Sequence, residues 1–194
     1  MKHSPVFKKS ALSKLAALAL LAAAPLAASA ADGIKYTYVE GGYVRTDTDG
    51  GDADGWGLKG SAALTPNFHL FGEFSNQDIK HSSADFDQWR VGIGYNHQVS
   101  RNMDLVTRVA YEKFDAGSGL DADGYSVEAG IRGAMTPNLE GYAFAGYEDG
   151  DDFDGDFYGR LGAQVKFNQN WGLAADVKFV EGDRQWFVGP RITW

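Results

Sequence analysis

The stretch Gln185-Trp186-Phe187-Val188-Gly189-Pro190-Arg191-Ile192-Thr193-Trp194 alternates with a period of two up to its last aromatic residue. Trp186, Val188, Pro190, Ile192 and Trp194 share one face; Phe187, Gly189, Arg191 and Thr193 share the other. Side chains alternate across a strand, so this segment offers an apolar ladder on one side and a polar one on the other. Behind a secretory leader and without a membrane helix, such a strand suits a bacterial outer-membrane β-barrel, apolar toward lipid and polar toward the lumen. Outer-membrane lipid is then one expected partner. The barrel-assembly machinery, engaging this C-terminal strand, is another.

The front of the chain agrees. Lys2, Lys8, Lys9 and Lys14 form a basic region, the stretch Leu15 to Leu26 is apolar, and Ala28-Ser29-Ala30 has the small residues of a cleavage site. The apolar stretch is shorter than the roughly 20 residues a spanning helix needs. A signal peptide is expected over residues 1–30, followed by a barrel domain over 31–194. The chain has no cysteine, which excludes a lipid-anchored lipoprotein and any disulfide framework. With no further long apolar run, spanning requires a closed barrel, because lipid cannot satisfy an open strand edge.

Removing the four leader lysines takes the formal net charge from −8 to −12. That acidity argues against nucleic acid, whose phosphates select basic patches. Glycine (25 residues) and aromatics (13 %) suit strands, tight turns and interfacial girdles. The acid clusters in residues 47–54, 115–123 and 148–156, where Asp alternates with Gly, and these read as loops.

Between them, Thr65-Pro66-Asn67, Ser100-Arg101-Asn102, Thr136-Pro137-Asn138 and Asn168-Gln169-Asn170 recur 35, 36 and 32 positions apart. A repeated hairpin with one tight turn and one longer loop per unit follows. Strands are expected over 34–46, 55–64, 68–79, 87–99, 103–114, 124–135, 139–148, 157–167, 171–181 and 185–194. The fold class is all-β, a transmembrane antiparallel up-and-down barrel of ten strands, with eight as the alternative if one hairpin is a loop excursion. Both termini share one side, with short turns periplasmic and acidic loops extracellular.

Parity sorts most faces. Phe68, Leu70 and Phe74 oppose His69, Phe71 and Glu73; Trp89, Val91 and Ile93 oppose Arg90, Gly92 and Gly94. Residues 34–46 and 139–148 leave their parity open, and Pro190 forfeits a ladder hydrogen bond. Trp56, Trp89, Tyr111, Tyr125, Tyr147 and Trp186 lie toward the loop ends; Phe68, Tyr95, Phe167, Trp171 and Trp194 lie toward the turn ends. Two aromatic belts around an aliphatic band fit two lipid–water interfaces.

The expected lumen set is Glu40, Lys59, Glu73, Arg90, Arg108, Glu112, Glu128, Arg132, Arg160, Lys166, Asp176, Lys178 and Arg191. Charges of both signs in a narrow interior pair, because an unpaired buried ion costs several kcal/mol. Gly92, Gly94, Gly130, Gly162 and Gly189 are expected to leave room for long arginines from neighbouring strands. A filled structural core is one outcome. A narrow charge-selective pore is the other.

Asp47, Asp49, Asp52 and Asp54 offer oxygen ligands suited to calcium, but the run lacks the twelve-residue loop with its terminal bidentate Glu. No metal and no cofactor is expected. An acidic surface suits a basic extracellular partner instead. Catalysis is not expected: His81 stands in a loop beside its own Ser and Asp neighbours, whereas triads converge from different strands. His69 and His97 face opposite sides.

Several segments carry a family resemblance: Tyr38-Val39-Glu40-Gly41-Gly42-Tyr43, Asp52-Ala53-Asp54-Gly55-Trp56-Gly57-Leu58, Phe86-Asp87-Gln88-Trp89-Arg90, Tyr111-Glu112-Lys113-Phe114-Asp115-Ala116-Gly117, Gly124-Tyr125-Ser126-Val127-Glu128-Ala129-Gly130 and Gly146-Tyr147-Glu148-Asp149-Gly150-Asp151-Asp152. With Gln185 to Arg191, they resemble the Ax family of small outer-membrane barrels from xanthomonads, over essentially the whole chain beyond the leader. The resemblance implies an outer-membrane protein also found in shed vesicles and linked with quorum sensing, motility, biofilm formation and virulence. It supplies no catalytic or ligand-binding residue.

Two functions follow for comparison: a structural or surface-interaction barrel that seals its own lumen, and a narrow pore for small solutes or ions. A soluble secreted signal is a third, opposed by the apolar outer face.

Overall fold

Alternating sequences pair edge to edge until the last strand meets the first, and in this chain ten do so. The computed structural model describes residues 31, 33–48, 50–80, 84–116, 121–151 and 155–194. Residues 1–30, where a signal peptide is expected, and Asp49, His81, Asp152 and Asp154 lie outside the described residues. The strands are β1 (Tyr38–Thr48), β2 (Gly51–Ala63), β3 (Phe68–Ile79), β4 (Asp85–Ser100), β5 (Met103–Asp115), β6 (Asp121–Thr136), β7 (Leu139–Gly150), β8 (Asp156–Lys166), β9 (Trp171–Val180) and β10 (Asp183–Thr193). Each pairs antiparallel with its chain neighbour, and β1 closes on β10. Ten strands replace the eight-strand alternative.

The recurring turns do more than reverse the chain. Thr65 Oγ1 accepts from the Asn67 and Phe68 amides, and Thr136 Oγ1 accepts from Asn138 and Leu139. Such side-chain turns explain Thr at the first position. Each turn asparagine then grips the end of the next hairpin. The side-chain amides of Asn67, Asn102, Asn138 and Asn170 donate to the carbonyls of Asn96, Ala134, Lys166 and Thr193 at 2.9–3.3 Å. Their own carbonyls accept the amides of the same four residues at 2.7–2.8 Å. The turn end is therefore a ring of two-point clamps.

At the other end the acidic runs depart from the loop reading. Asp47 ends β1, Asp52 and Asp54 open β2, Asp121 and Asp123 open β6, and Glu148 and Asp149 end β7. A tilted strand needs about 9–11 residues to cross a bilayer. β4 and β6, with 16 residues each, run past that length, and the hairpins keep pairing where water solvates both faces. The β9–β10 connection is equally tight. Glu181 and Gly182 have φ of 46° and 99°, the positive pair that a two-residue type I′ hairpin requires.

The β1–β10 seam pairs Tyr38–Glu40 with Thr193–Arg191 and Tyr43–Asp47 with Val188–Arg184, lapsing at the intervening Gly41, Gly42, Gly189 and Pro190. Pro190, exposed on the outer face, has no N–H to give. Glycine lets the two backbones close despite the lapse. A Cβ on Gly42 would stand 2.2 Å from the Val188 carbonyl oxygen, and one on Gly189 would stand 2.2 Å from that of Gly41.

One expectation about the first strand fails. Ile34 and Tyr36 alternate as a strand would, yet β1 starts only at Tyr38. The residues before it turn into the lumen, where Ala31, Ile34 and Tyr36 bury themselves against Val106 and Phe144. Burial inside outweighs a further stretch of ladder for these apolar groups.

Candidate functional site

The site with chemistry in it is the lumen. Parity now resolves for every strand. Tyr38, Glu40, Val44 and Thr46 of β1 turn inward, and β7 sends in Glu140, Tyr142, Phe144 and Glu148. All thirteen charged residues expected inside stand on inward-facing positions, and ion pairs link them across the barrel rather than only between neighbouring strands.

Glu128 anchors the middle layer. It is buried, receives Arg108 and Arg90 at 3.2 Å each on separate oxygens, and accepts the Tyr158 hydroxyl at 2.9 Å. Arg90 also meets Glu73 at 3.2 Å and Glu112 at 2.9 Å, and Arg160 reaches Glu73 at 3.0 Å. Lys59 pairs with Asp176 and Lys178 with Glu148. Toward the turn end, Arg132 binds Glu140 at 2.5 Å, Lys166 binds it at 3.1 Å, and Arg191 pairs with Glu40. Arg191 donates to Gln164 as well, at 2.8 Å.

The lumen glycines do not house the arginines. They receive aromatic rings from the facing residue of the next strand. A Cβ on Gly94 would lie 2.2 Å from the His69 ring, one on Gly92 2.8 Å from Phe71, and one on Gly162 2.2 Å from Tyr142. Gly130 meets Phe144 and Gly146 meets Tyr158 in the same way, while Gly189 meets the β1 backbone. The guanidiniums then lie over the rings: Arg90 and Arg108 over Phe71 at 5.2 and 5.1 Å, and Arg108 over Phe144 at 4.9 Å. Cross-strand ring–glycine pairs thus build an aromatic floor, and cation–π contact adds to the ion pairs.

Two pockets remain. One, of about 410 Å³, opens at the loop end between Lys59, Glu73, Arg90, Glu148, Arg160 and Lys178. The other, of about 380 Å³, lies at the turn end beside Gly33, Lys35, Glu140, Gln164, Lys166 and Thr193. They share no lining residue.

The turn end is occupied by the segment leading into β1. Arg132 donates to the Lys35 carbonyl at 3.0 Å, Lys166 donates to that of Gly33, and the Tyr36 ring stacks on His69 at 4.6 Å. The Tyr36 hydroxyl donates to Asp104 at 2.9 Å, and burial raises its phenol above the ordinary range.

Glu140, Asp104 and Glu148 are lumen acids that sequence reasoning missed. The first two stand one residue into their strands, next to turns, and Glu148 opens an acidic run read as a loop. A parity for 139–148 would have exposed Glu140 and Glu148.

The expected belt residues all stand on outward positions. Trp56, Trp89, Tyr111, Phe167, Trp171, Trp186 and Trp194 are exposed, and Phe68, Tyr95, Tyr125 and Tyr147 are partly covered by neighbours. Phe74 bridges Trp56 and Trp89 at 5.2 and 4.3 Å between ring centroids. Of the calcium candidates, Asp47 and Asp52 both hold Arg45, at 2.5 and 3.0 Å, and Asp54 pairs with Lys80 at 3.1 Å. Among the described residues no group of three or more His, Asp or Glu side chains could hold a metal ion.

Solved barrels resemble this one at low identity. The KdgM porin, solved with a disordered oligogalacturonate, is 12 % identical with a TM-score of 0.46, over 83 % of this chain and 99 % of its own. The NanC porin is 8 % identical, TM-score 0.44, over 81 % of this chain and 100 % of its own. The attachment invasion locus protein Ail of Yersinia pestis is 13 % identical, TM-score 0.39, over 83 % and 100 %. No curated protein sequence matches. A family match over residues 15–186 makes the chain a member of the outer membrane protein β-barrel domain family, and the bacterial outer membrane its place.

Proposed function

We propose that this protein is a closed barrel whose work lies at its surface rather than through its lumen. The observation that carries the reading is the layered lumen: ion pairs and stacked rings separate two pockets with no lining residue in common. Opposite charges consume one another there, so little net field remains to draw an ion through. The hairpin ends meanwhile expose Asp121 and Asp123, which suit a basic partner outside the cell. The resemblance to the Ax family supports release in vesicles and a link with quorum sensing, motility, biofilm formation or virulence.

A narrow pore is the second reading. The loop-end pocket favours it, with Lys59, Arg90, Arg160 and Lys178 facing Glu73 and Glu148 around about 410 Å³. Replacing Arg90, Arg132 and Arg160 together by Ala separates the two. A structural lumen loses thermal stability with no ion selectivity to alter. A working pore keeps folding and shifts its reversal potential in a salt gradient.

A further inference from the structure

Among the described residues the buried carboxylates of the lumen are Glu40, Asp104, Glu128, Glu140 and Asp176. Four have a lysine or arginine: Arg191 for Glu40, Arg108 and Arg90 for Glu128, Arg132 for Glu140, Lys59 for Asp176. Asp104 has none, although it is 0 % exposed. Its cross-strand neighbour Arg132 gives its guanidinium to Glu140 and to the Lys35 carbonyl instead. One Asp104 oxygen takes the Tyr36 hydroxyl at 2.9 Å. The other takes the Ala31 backbone nitrogen, also at 2.9 Å, and Ala31 is itself buried.

In the uncleaved chain that nitrogen is a neutral amide. Hydrolysis of the Ala30–Ala31 peptide bond adds water across it, leaving a carboxylate on the leader and an α-amine on Ala31, protonated near neutral pH. We propose that Asp104 is the receptor for this new α-ammonium, so that removal of the leader creates the ion pair that locks the turn-end plug. The proposal rests on the leader ending at Ala30. A charge-assisted bond is stronger than the amide bond it replaces, and the carboxylate gains the counter-ion it lacks. Two further holds keep Ala31 in register: the packing of Ile34 and Tyr36 on Val106 and Phe144, and the Lys166 contact with the Gly33 carbonyl. Closure of the lumen is then a consequence of maturation, and a chain still carrying its leader has a weaker plug.

The test starts from protein purified from outer membranes, whose first residue is read by N-terminal sequencing; any start other than Ala31 overturns the proposal through its processing step. The α-amine is then labelled with an acetylating N-hydroxysuccinimide ester at neutral pH, in the folded barrel and in urea. At least tenfold slower labelling of Ala31 in the folded barrel is expected, with D104N raising the folded rate toward the unfolded one. A second chain carries Gly-Ser ahead of Ala31 and leaves every barrel residue intact. It keeps an amide at the Ala31 position but not the charge, and its unfolding midpoint should fall. Equal labelling in folded and unfolded wild type, or an unchanged midpoint in the extended chain, overturns the lock. Both readouts stand even if D104N does not fold.

Discussion

Glu128 accepts Arg108, Arg90 and Tyr158 in a site closed to water, and that makes it the most exposed point of the lumen to mutation. Glu128→Ala strands Arg108 and takes from Arg90 one of its three carboxylates, and breaking a buried pair costs about 3–5 kcal/mol. Urea unfolding of the refolded barrel reads this directly; a loss under 1 kcal/mol would mean water reaches the layer. The ring-on-glycine pairs make a second prediction on one strand. Gly162→Val drives a side chain into Tyr142 and should cost about 1–3 kcal/mol by overpacking. Gly159→Ala, three residues away with nothing within 4 Å of the new Cβ, should leave the midpoint unchanged or raise it. Residue parity revealed the inward charges from sequence. It could not show that His69, Phe71 and Tyr142 would claim the glycine spaces, because that depends on which residues face each other across strands.

At the scale of elements, the strands from Phe68 to Ile79 and from Met103 to Asp115 were legible almost to the residue, since alternation and turn signals coincide there. β7 was not. Its outward positions Gly141, Ala143 and Ala145 are too small to contrast with the inward ones, so the period-two signal vanishes. The acidic hairpin ends hid for another reason: outside lipid both faces are polar, and pairing continues without alternation. Residues 34–37 misled in the opposite direction, showing strand periodicity while Ile34 and Tyr36 pack inward as a plug. The turn clamps yield an element-scale prediction. Asn138→Ala removes the side-chain half of one clamp and should cost about 1 kcal/mol, the usual net worth of a hydrogen bond. Differential hydrogen exchange should localise the loosening to the β6–β7 and β8 turn ends. Uniform exchange across the rim would argue that the clamps are redundant.

For the whole molecule, the outer face sets the orientation in lipid and the inner layers set what passes. Leu161, exposed midway along β8, should tolerate Ala but not Arg. A lipid-facing arginine near the midplane costs about 2–4 kcal/mol, read as a lower folding free energy in lipid vesicles. Equal stabilities for the two variants would put that face in water. The address and architecture were readable because alternation and turn signals act locally. The packing of the chain before β1 against Arg132 and Lys166 was not, because these groups meet from distant parts of the sequence. Single-channel recording of the mature protein in a planar bilayer tests closure most directly. A demonstrably inserted barrel should stay silent across the voltage range; discrete, charge-selective steps from the wild type would contradict a lumen sealed by its own ion pairs.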